Sequence, residues 1–372
     1  MKGTEMRVIV AGGGIVGLTA GAALRRAGAE VVVSEQAEEI RAAGASIGLW
    51  TNALEVFGAL GIRDSVEALG TGVSTWFFDA DGTAHRAAGS AESDHAFLLV
   101  PRPELNQTLA EAVGRDNLRL GGRVVGYTED ANGVTVRFAD GSEDRADLLI
   151  GADGVYSKVR AQLLPDSAAH EHAGHHAWRG VLPTREEPVG GSVLTVGRDR
   201  ARGGFTRTYG GMTMWMVNQF DCAPLTGTGK EQALERAALI SEGGWNEALF
   251  DLIRATPDEA ILHNQIMFVP ELPRWTSDRV VLIGDAAHAL SPHIAAGGTL
   301  GVEDVGVLTR QLIANGPEIP AGLKAYEADR MARYAVVREH SRAVEGSADA
   351  REYAETYAAF SHWMLTERPK IG

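Results

Sequence analysis

Gly12, Gly14 and Gly17 stand in the order Gly-x-Gly-x-x-Gly near the start of the chain, and Glu35 lies eighteen residues past Gly17. Glycines at this spacing allow a tight turn, a close backbone approach to a pyrophosphate, and close packing of a helix on a sheet. Two further clusters follow at long intervals: Gly151-Ala152-Asp153-Gly154, and Gly284-Asp285-Ala286-Ala287-His288. The last puts the Asp285 carboxylate at the end of an apolar run, where it can accept a hydrogen bond from a hydroxyl of a bound cofactor. With 45 glycines in 372 residues, three glycines at fixed spacing arise readily by chance, so their context decides.

That context is a complete dinucleotide unit. Residues 6–11 are apolar and β-branched, the composition of a buried strand. Residues 15–27 place Val16, Ala20, Ala23, Leu24 and Ala27 at helical spacing, and residues 31–33 form a second strand ending in Ser34-Glu35. The helix N-terminus offers free N–H groups and a positive dipole end to phosphates. Glu35 is placed to accept hydrogen bonds from ribose hydroxyls and would repel a 2′-phosphate, which predicts FAD or NAD rather than NADP as the bound nucleotide.

Bulk properties agree. A chain of 372 residues buries a large core and predicts two interleaved domains. Its formal net charge of −14 argues against nucleic acid or an anionic membrane surface as a partner. A single cysteine, Cys222, fits a reducing cytoplasmic setting and excludes an intramolecular disulfide. The N-terminal apolar stretch reads as the first strand, since Gly12 to Gly14 interrupt it; no run reaches the length of a membrane span. His170, His172, His175 and His176 lack an acid at ligand spacing, so no metal site is expected there. Residues 280–283 predict another buried strand, residues 299–312 the helix after it, and residues 231–256 a helix with Trp245, Leu249, Leu252 and Ile253 on one side.

The chain resembles the single-component (class A) FAD-dependent aromatic hydroxylases, of the para-hydroxybenzoate and salicylate hydroxylase type, from residue 6 to about residue 342. After the glycine turn, Gly44-Ala45-Ser46-Ile47-Gly48 with Asn52-Ala53-Leu54 is similar to the loop lying along the flavin in that family. Val100-Pro101-Arg102-Pro103-Glu104-Leu105 resembles the helix start whose arginine reaches the flavin phosphates. Residues 147–160, ending in Ser157-Lys158-Val159-Arg160, resemble the second signature, and residues 279–304 the third. Where many relatives carry Gly-Gln-Gly, this chain has Ala295-Ala296-Gly297, while Pro292-His293 is similar to the salicylate-hydroxylase branch.

The resemblance implies an α/β fold: a Rossmann-like FAD-binding domain of the glutathione-reductase type, interleaved with a mixed β-sheet substrate domain and a C-terminal helix. Residues 1–72, 99–170 and 273–372 would form the FAD-binding part and the C-terminal helices, and residues 73–98 and 171–272 the substrate part. The implied FAD contacts are Gly12, Gly14, Val16, Gly17, Glu35, Gln36, Ser46, Arg102, Val125, Asp153, Gly154, Asp285, Pro292, Gly297 and Gly298. His288 is expected to pack or support rather than react. The tail beyond Arg342 is expected to be helical and peripheral, without the thioredoxin-like domain of the larger phenol hydroxylases.

The substrate segment predicts strands at 178–182, 192–196 and 213–219, and alternation puts Phe205, Arg207 and Tyr209 on one face. In relatives such a sheet walls the substrate pocket, so Arg207 would hold an anionic or phenolate substrate, with Arg179, Arg200 and Arg202 as competitors. Candidate bases are His293, Tyr209, His175 and His176. The implied reaction is hydroxylation of an aromatic or heteroaromatic small molecule by dioxygen through a flavin C4a-hydroperoxide, with NADH or NADPH binding transiently near Asp153-Gly154. A monomer or homodimer fits. A dehydrogenase or reductase on the same fold, and a non-catalytic flavin- or ligand-binding relative, are the alternatives; the Trp-x-Trp-x-Ile-Pro segment of halogenases is absent.

Overall fold

The computed structural model describes residues 6–40, 46–87, 96–184, 192–222 and 224–371. Gly44 and Ala45 of the expected flavin loop lie outside these residues. The chain begins with β1 (Arg7–Ala11), α1 (Ile15–Arg26) and β2 (Glu30–Ser34), then β3 (Ser46–Leu49), α2 (Thr51–Leu60) and α3 (Arg63–Leu69). It crosses to β4 (Thr71–Asp79), β5 (Ala84–His85) and β6 (Ala96–Pro101), and returns through α4 (Arg102–Val113) and β7 (Leu118–Arg119). Next come β8 (Val124–Asp130), β9 (Gly133–Phe138), β10 (Glu143–Ala146), β11 (Leu148–Gly151) and α5 (Lys158–Leu163). The second excursion holds β12 (His170–Pro183), β13 (Ser192–Val196), β14 (Arg202–Thr208), β15 (Met212–Gln219), α6 (Gly229–Leu239), α7 (Glu247–Ala255) and β16 (Leu262–Phe268). Last are β17 (Val280–Leu282), α8 (Asp285–His288), α9 (Gly297–Asn315), α10 (Ile319–Gly346) and α11 (Ala350–Thr366).

One sheet is five-stranded and parallel, in the order β17-β11-β1-β2-β7. Its strands are continuous apolar runs because helices cover it: Val8, Ile9, Val10, Leu148, Leu149, Ile150, Val280, Val281 and Leu282 are all fully buried. The three glycine-and-acid clusters follow the carboxyl ends of β1, β11 and β17, which are neighbours in this sheet. Motifs that begin at Gly12, Gly151 and Gly284 thus meet at one edge.

The second large sheet is mixed and nine-stranded, in the order β16-β12-β15-β14-β13-β4-β6-β3, with β5 attached to β4. Trp178, Phe205, Trp215 and Val217 share one face and pack against Ala233, Ala237, Leu249, Leu252 and Ile253 of α6 and α7. Alternation sends His175, Arg179, Val181, Arg202, Thr206, Met214, Met216 and Asn218 to the other face, toward the parallel-sheet domain.

Three expectations need correction. The helix over 231–256 is two helices, because Gly243 and Gly244 (φ 60° and 87°) and left-handed Asn246 turn the chain; Trp245 sits in that turn, its ring 4.7 Å from Phe78. Arg207 shares its strand face with Phe205, the face that packs on α6 and α7, and is exposed. Tyr209 lies past the end of β14 in a short turn and is 43 % exposed, so neither flanks the glycine-and-acid clusters. The tail is helical but not peripheral: Tyr353, Tyr357 and Phe360 of α11 are buried, and the Phe77 ring of β4 lies 5.1 Å from Tyr353 at a 41° tilt.

Candidate active site

The glycine turn is explained by collisions. A Cβ on Gly17 would lie 2.0 Å from the Gly12 carbonyl oxygen, and one on Gly12 (φ 109°) would lie 2.3 Å from the Ala152 oxygen. Gly14 differs, for its Cβ would meet nothing within 4 Å. The first turn of α1 carries no side-chain cap and no acid, so its first N–H groups have no side-chain acceptor. Val16 packs α1 against α9, a methyl 2.5 Å from where a Cβ on Gly301 would lie, and also against Gly284 at 3.1 Å. Glu35 sits at the rim and accepts from the N–H groups of Gly13 (2.8 Å) and Ala37 (2.9 Å). Gln36 beside it is exposed. The segment after β7 runs alongside, with Gly122 donating to the Glu35 carbonyl at 2.8 Å, and leads to Val125, which is 48 % exposed.

In the second cluster the Asp153 carboxylate caps α5, accepting from Ser157 Oγ (2.5 Å) and the N–H groups of Lys158 (2.7 Å) and Val159 (3.2 Å). Gly154 presents no obstruction within 4 Å. Arg160, buried and depressed in basicity by burial, gives its guanidinium to three carbonyls: Ser167 (2.9 Å), Ala286 (2.9 Å) and Val155 (2.6 Å). The Ala286 bond ties the second cluster to the third.

The third cluster leaves Asp285 exposed while His288 turns inward. His288 Nε2 lies 2.6 Å from Asp304 Oδ2, which also accepts from Gly284 N at 2.8 Å; Arg330 Nε reaches Asp304 Oδ1 at 2.7 Å. Burial works against the Asp304 charge, but His288 and Arg330 outweigh it and hold the carboxyl below its ordinary range. Glu303 extends the network to Arg333 (2.7 Å) and Asn52 (2.6 Å). His288 is thus a buried support, as the sequence leads one to expect.

Pro292 opens a short turn into α9, whose N-terminus has no side-chain cap and no acid. A Cβ on Gly297 would meet nothing within 4 Å, whereas one on Gly298 would strike Ile47 at 2.4 Å. Trp50 Nε1 donates to the Ala295 carbonyl at 3.2 Å, and Ser46 pairs with Pro101 in the sheet, one residue before Arg102. Burial lowers the basicity of Arg102, opposed by the charge of Asp285; Arg102 in turn lowers that of Arg179, where burial is again the larger cause. Arg102, Asp285 and Arg179 therefore share one electrostatic neighbourhood. Arg179 Nη2 is held by Asn264 at 2.5 Å, and its buried Nε has no partner among the described residues.

On the facing sheet, His293 is 7 % exposed and lies parallel to His175 at 5.0 Å, with Phe220 3.9 Å from His175. Arg202 is 1 % exposed; its Nη2 donates to the carbonyls of Glu345 (2.7 Å) and Ser347 (3.1 Å), and its Nε and Nη1 have no partner among the described residues. Burial, reinforced by Arg202, holds His293 well below its ordinary range; burial together with His172 pushes His175 down to about 3. Arg200 is exposed and pairs with Asp221 at 3.2 Å. Of the sequence candidates, the structure brings His293, His175, Arg202 and Arg179 to the face between the two large sheets, with Arg200 at its edge over the Phe220 ring (4.0 Å), and leaves Arg207, Tyr209 and His176 away from it. Glu345 and Tyr353 escape a reading of the sequence because only the packing of α10 and α11 on the sheet brings them here, and Asn218 and Phe220 because the pairing of β15 with β12 decides which face they take.

An open glycine cradle at an uncapped helix N-terminus, with acids at adjacent strand ends, defines a nucleotide-binding flavoprotein fold and accommodates FAD. The family described as an FAD binding domain matches residues 5–341. The aurachin C monooxygenase/isomerase of Stigmatella aurantiaca is 35 % identical over 336 residues, covering 89 % of this chain and 86 % of that protein. The FAD-dependent urate hydroxylase of Klebsiella pneumoniae is 32 % identical over 344 residues, covering 88 % and 86 %. The crystal structure of Klebsiella pneumoniae HpxO complexed with FAD and uric acid aligns with a TM-score of 0.80 at 27 % identity, over 96 % of this chain and 93 % of that one. The chain belongs to the class A FAD-dependent aromatic hydroxylase family; it is an FAD-dependent monooxygenase. No helix among the described residues is long and apolar enough to cross a membrane.

Proposed function

We propose that the enzyme spends NADH or NADPH to place one oxygen atom on a small, acidic heteroaromatic compound. The observation that carries the substrate side is Arg202, a buried cation with two guanidinium nitrogens unpartnered and no ion pair among the described residues. Burying such a charge is costly unless something neutralises it, so an anionic ring substituent is the fitting ligand. Kinship with a urate hydroxylase supports a nitrogen heterocycle.

FAD, when bound, supplies electron transfer from the nicotinamide and the activation of dioxygen. The α1 N-terminus with Gly12, Gly14 and Gly17 would hold its pyrophosphate, and Glu35 its ribose, with Val16, Gln36 and Val125 bordering the adenosine side. Arg102 and Asp285 would hold phosphate and ribityl groups; Ser46, Pro292, Gly297 and Gly298 would lie along the ring system. The open N-terminus of α9 favours negative charge beside it. Asp153 and Gly154 would mark where the nicotinamide cofactor docks. Arg202 would orient the substrate anion, and Val181, Met214 and Leu99 would exclude water. An anion on Arg202 offsets the field that keeps His293 neutral, so His293 or His175 becomes a better proton acceptor once substrate is in place.

The test is NAD(P)H consumption by the FAD-loaded protein across phenols, aromatic acids, hydroxypyridines, hydroxyquinolines and purines, with labelled dioxygen. A heterocycle that accelerates flavin reduction many-fold and gains one labelled oxygen carries the proposal, and Arg202→Gln should then raise its KM. Oxidation without oxygen incorporation would make the protein a dehydrogenase.

A further inference from the structure

Residues three apart on a regular strand point to opposite faces, yet the rings of His172 and His175 lie 6.0 Å apart. A bulge in β12 is the cause. The register against β16 shifts between Glu171 and His176, and Ala173 (φ 48°) and Gly174 (φ 61°) are left-handed. Ala173 carries a Cβ into a conformation that L residues adopt at a cost, and such strain gathers at functional sites.

The bulge completes a row of three imidazoles. His293 follows Pro292 in the loop that enters α9, His175 stacks on it at 5.0 Å and 4°, and His172 comes next. His172 Nε2 lies 3.0 Å from Glu345 Oε2, with side-chain exposures of 24 % and 12 %, so this end reaches solvent. By strict hydrogen-bond geometry the ring nitrogens of His175 and Nε2 of His293 have no partner among the described residues, although the Asn218 amide faces His175 closely enough to favour its proton. Packing against Phe220 alone would be served as well by phenyl rings, without burying unpartnered nitrogens. The charges facing the row are Arg202 from β14, Arg200 ahead of it and Glu345 from α10, with the Tyr353 phenol from α11. Glu345 is held below the ordinary carboxyl range: burial opposes this, and His172 and the nearby Ser291 hydroxyl outweigh it.

We propose that His293, His175 and His172, with Glu345 at the outer end, form the route by which protons pass between the flavin side of the site and solvent, the stacked rings turning to meet one another or a single bridging water at each transfer. The proposal rests on the flavoenzyme reading above. Hydroxylation of an acidic ring releases the substrate's proton, which must leave a site that excludes water. Substrate-free oxidation of the anionic reduced flavin runs the other way. Two electrons and the N5 proton leave the flavin, dioxygen takes both electrons and two protons to become hydrogen peroxide, and one proton is therefore drawn from solvent.

That second process needs no known substrate, so it is the test. The FAD-loaded enzyme is photoreduced, mixed with dioxygen, and its reoxidation followed at several pH values in H2O and D2O. His172→Ala and Glu345→Gln should each slow reoxidation about tenfold or more and change its pH profile and solvent isotope effect. Added imidazole should restore the His172→Ala rate. His263→Gln, an exposed histidine bonded to His176 at 3.0 Å and outside the row, should leave all three unchanged. Both variants reoxidising within twofold of the parent, with the same profile and isotope effect, would overturn the route while leaving the flavoenzyme reading intact. Slowing without rescue and without a changed isotope effect would reduce His172 and Glu345 to structural supports. Failure of the parent chain to take up FAD would sink both.

Discussion

Arg160 donates from Nη1 to the Ala286 carbonyl at 2.9 Å, so the helix after the second cluster is bonded to the helix that carries Asp285. The residues are 126 positions apart, and the bond is buried. It gives a physical reason for an arginine at this place: a planar fork whose donors reach several carbonyls at once. Arg160→Leu should destabilise the fold by about 1–3 kcal/mol for each carbonyl left without a donor. Urea unfolding measures the loss, and weaker FAD retention should accompany it.

Gly14 and Gly17 should respond oppositely to the same change. Gly17→Ala drives a methyl against the Gly12 carbonyl and should lower the melting temperature of the FAD-free protein. Gly14→Ala places its methyl in open space, so the FAD-free protein should melt as the parent does while flavin affinity falls. Equal FAD affinity in parent and Gly14→Ala would remove the pyrophosphate from this cradle.

Ala295 is left-handed, with φ 48°, in the loop leading to α9. That conformation costs an L residue about 1–2 kcal/mol, and glycine escapes it but loses about 0.5–1 kcal/mol through backbone entropy. Ala295→Gly should therefore stabilise the fold by about 0–1.5 kcal/mol. Thermal unfolding of the FAD-free protein reads the sign.

Acid should weaken the fold through His175. Its imidazole stays neutral in the native state down to about pH 3, because burial and His172 disfavour the cation. In the unfolded chain it takes a proton near its ordinary 6.5. The unfolded state therefore binds more protons between these values, and stability falls as pH drops from about 6.5 toward 3. His293 acts in the same direction. The difference in melting temperature between pH 7.5 and 5 should shrink in His175→Phe; an unchanged difference would mean that His175 is not held neutral.

The sequence by itself determined the nucleotide half. Glycine turn, apolar strand and acid are local patterns whose meaning lies in fixed spacings, and β1, α1 and β2 appear within a residue or so of their expected places. The family and FAD were legible there for the same reason. Choosing among the arginines was not, because strand parity shows which residues share a face but not which face looks toward the cofactor. Packing of α6 and α7 on Trp178, Phe205 and Trp215 took one face and left Arg202 and Arg179 on the other. The bulge at Ala173-Gly174 and the packing of the end of α10 against β12 joined His172, His175, His293 and Glu345. No local pattern encodes that meeting, because it depends on contacts between segments more than a hundred residues apart.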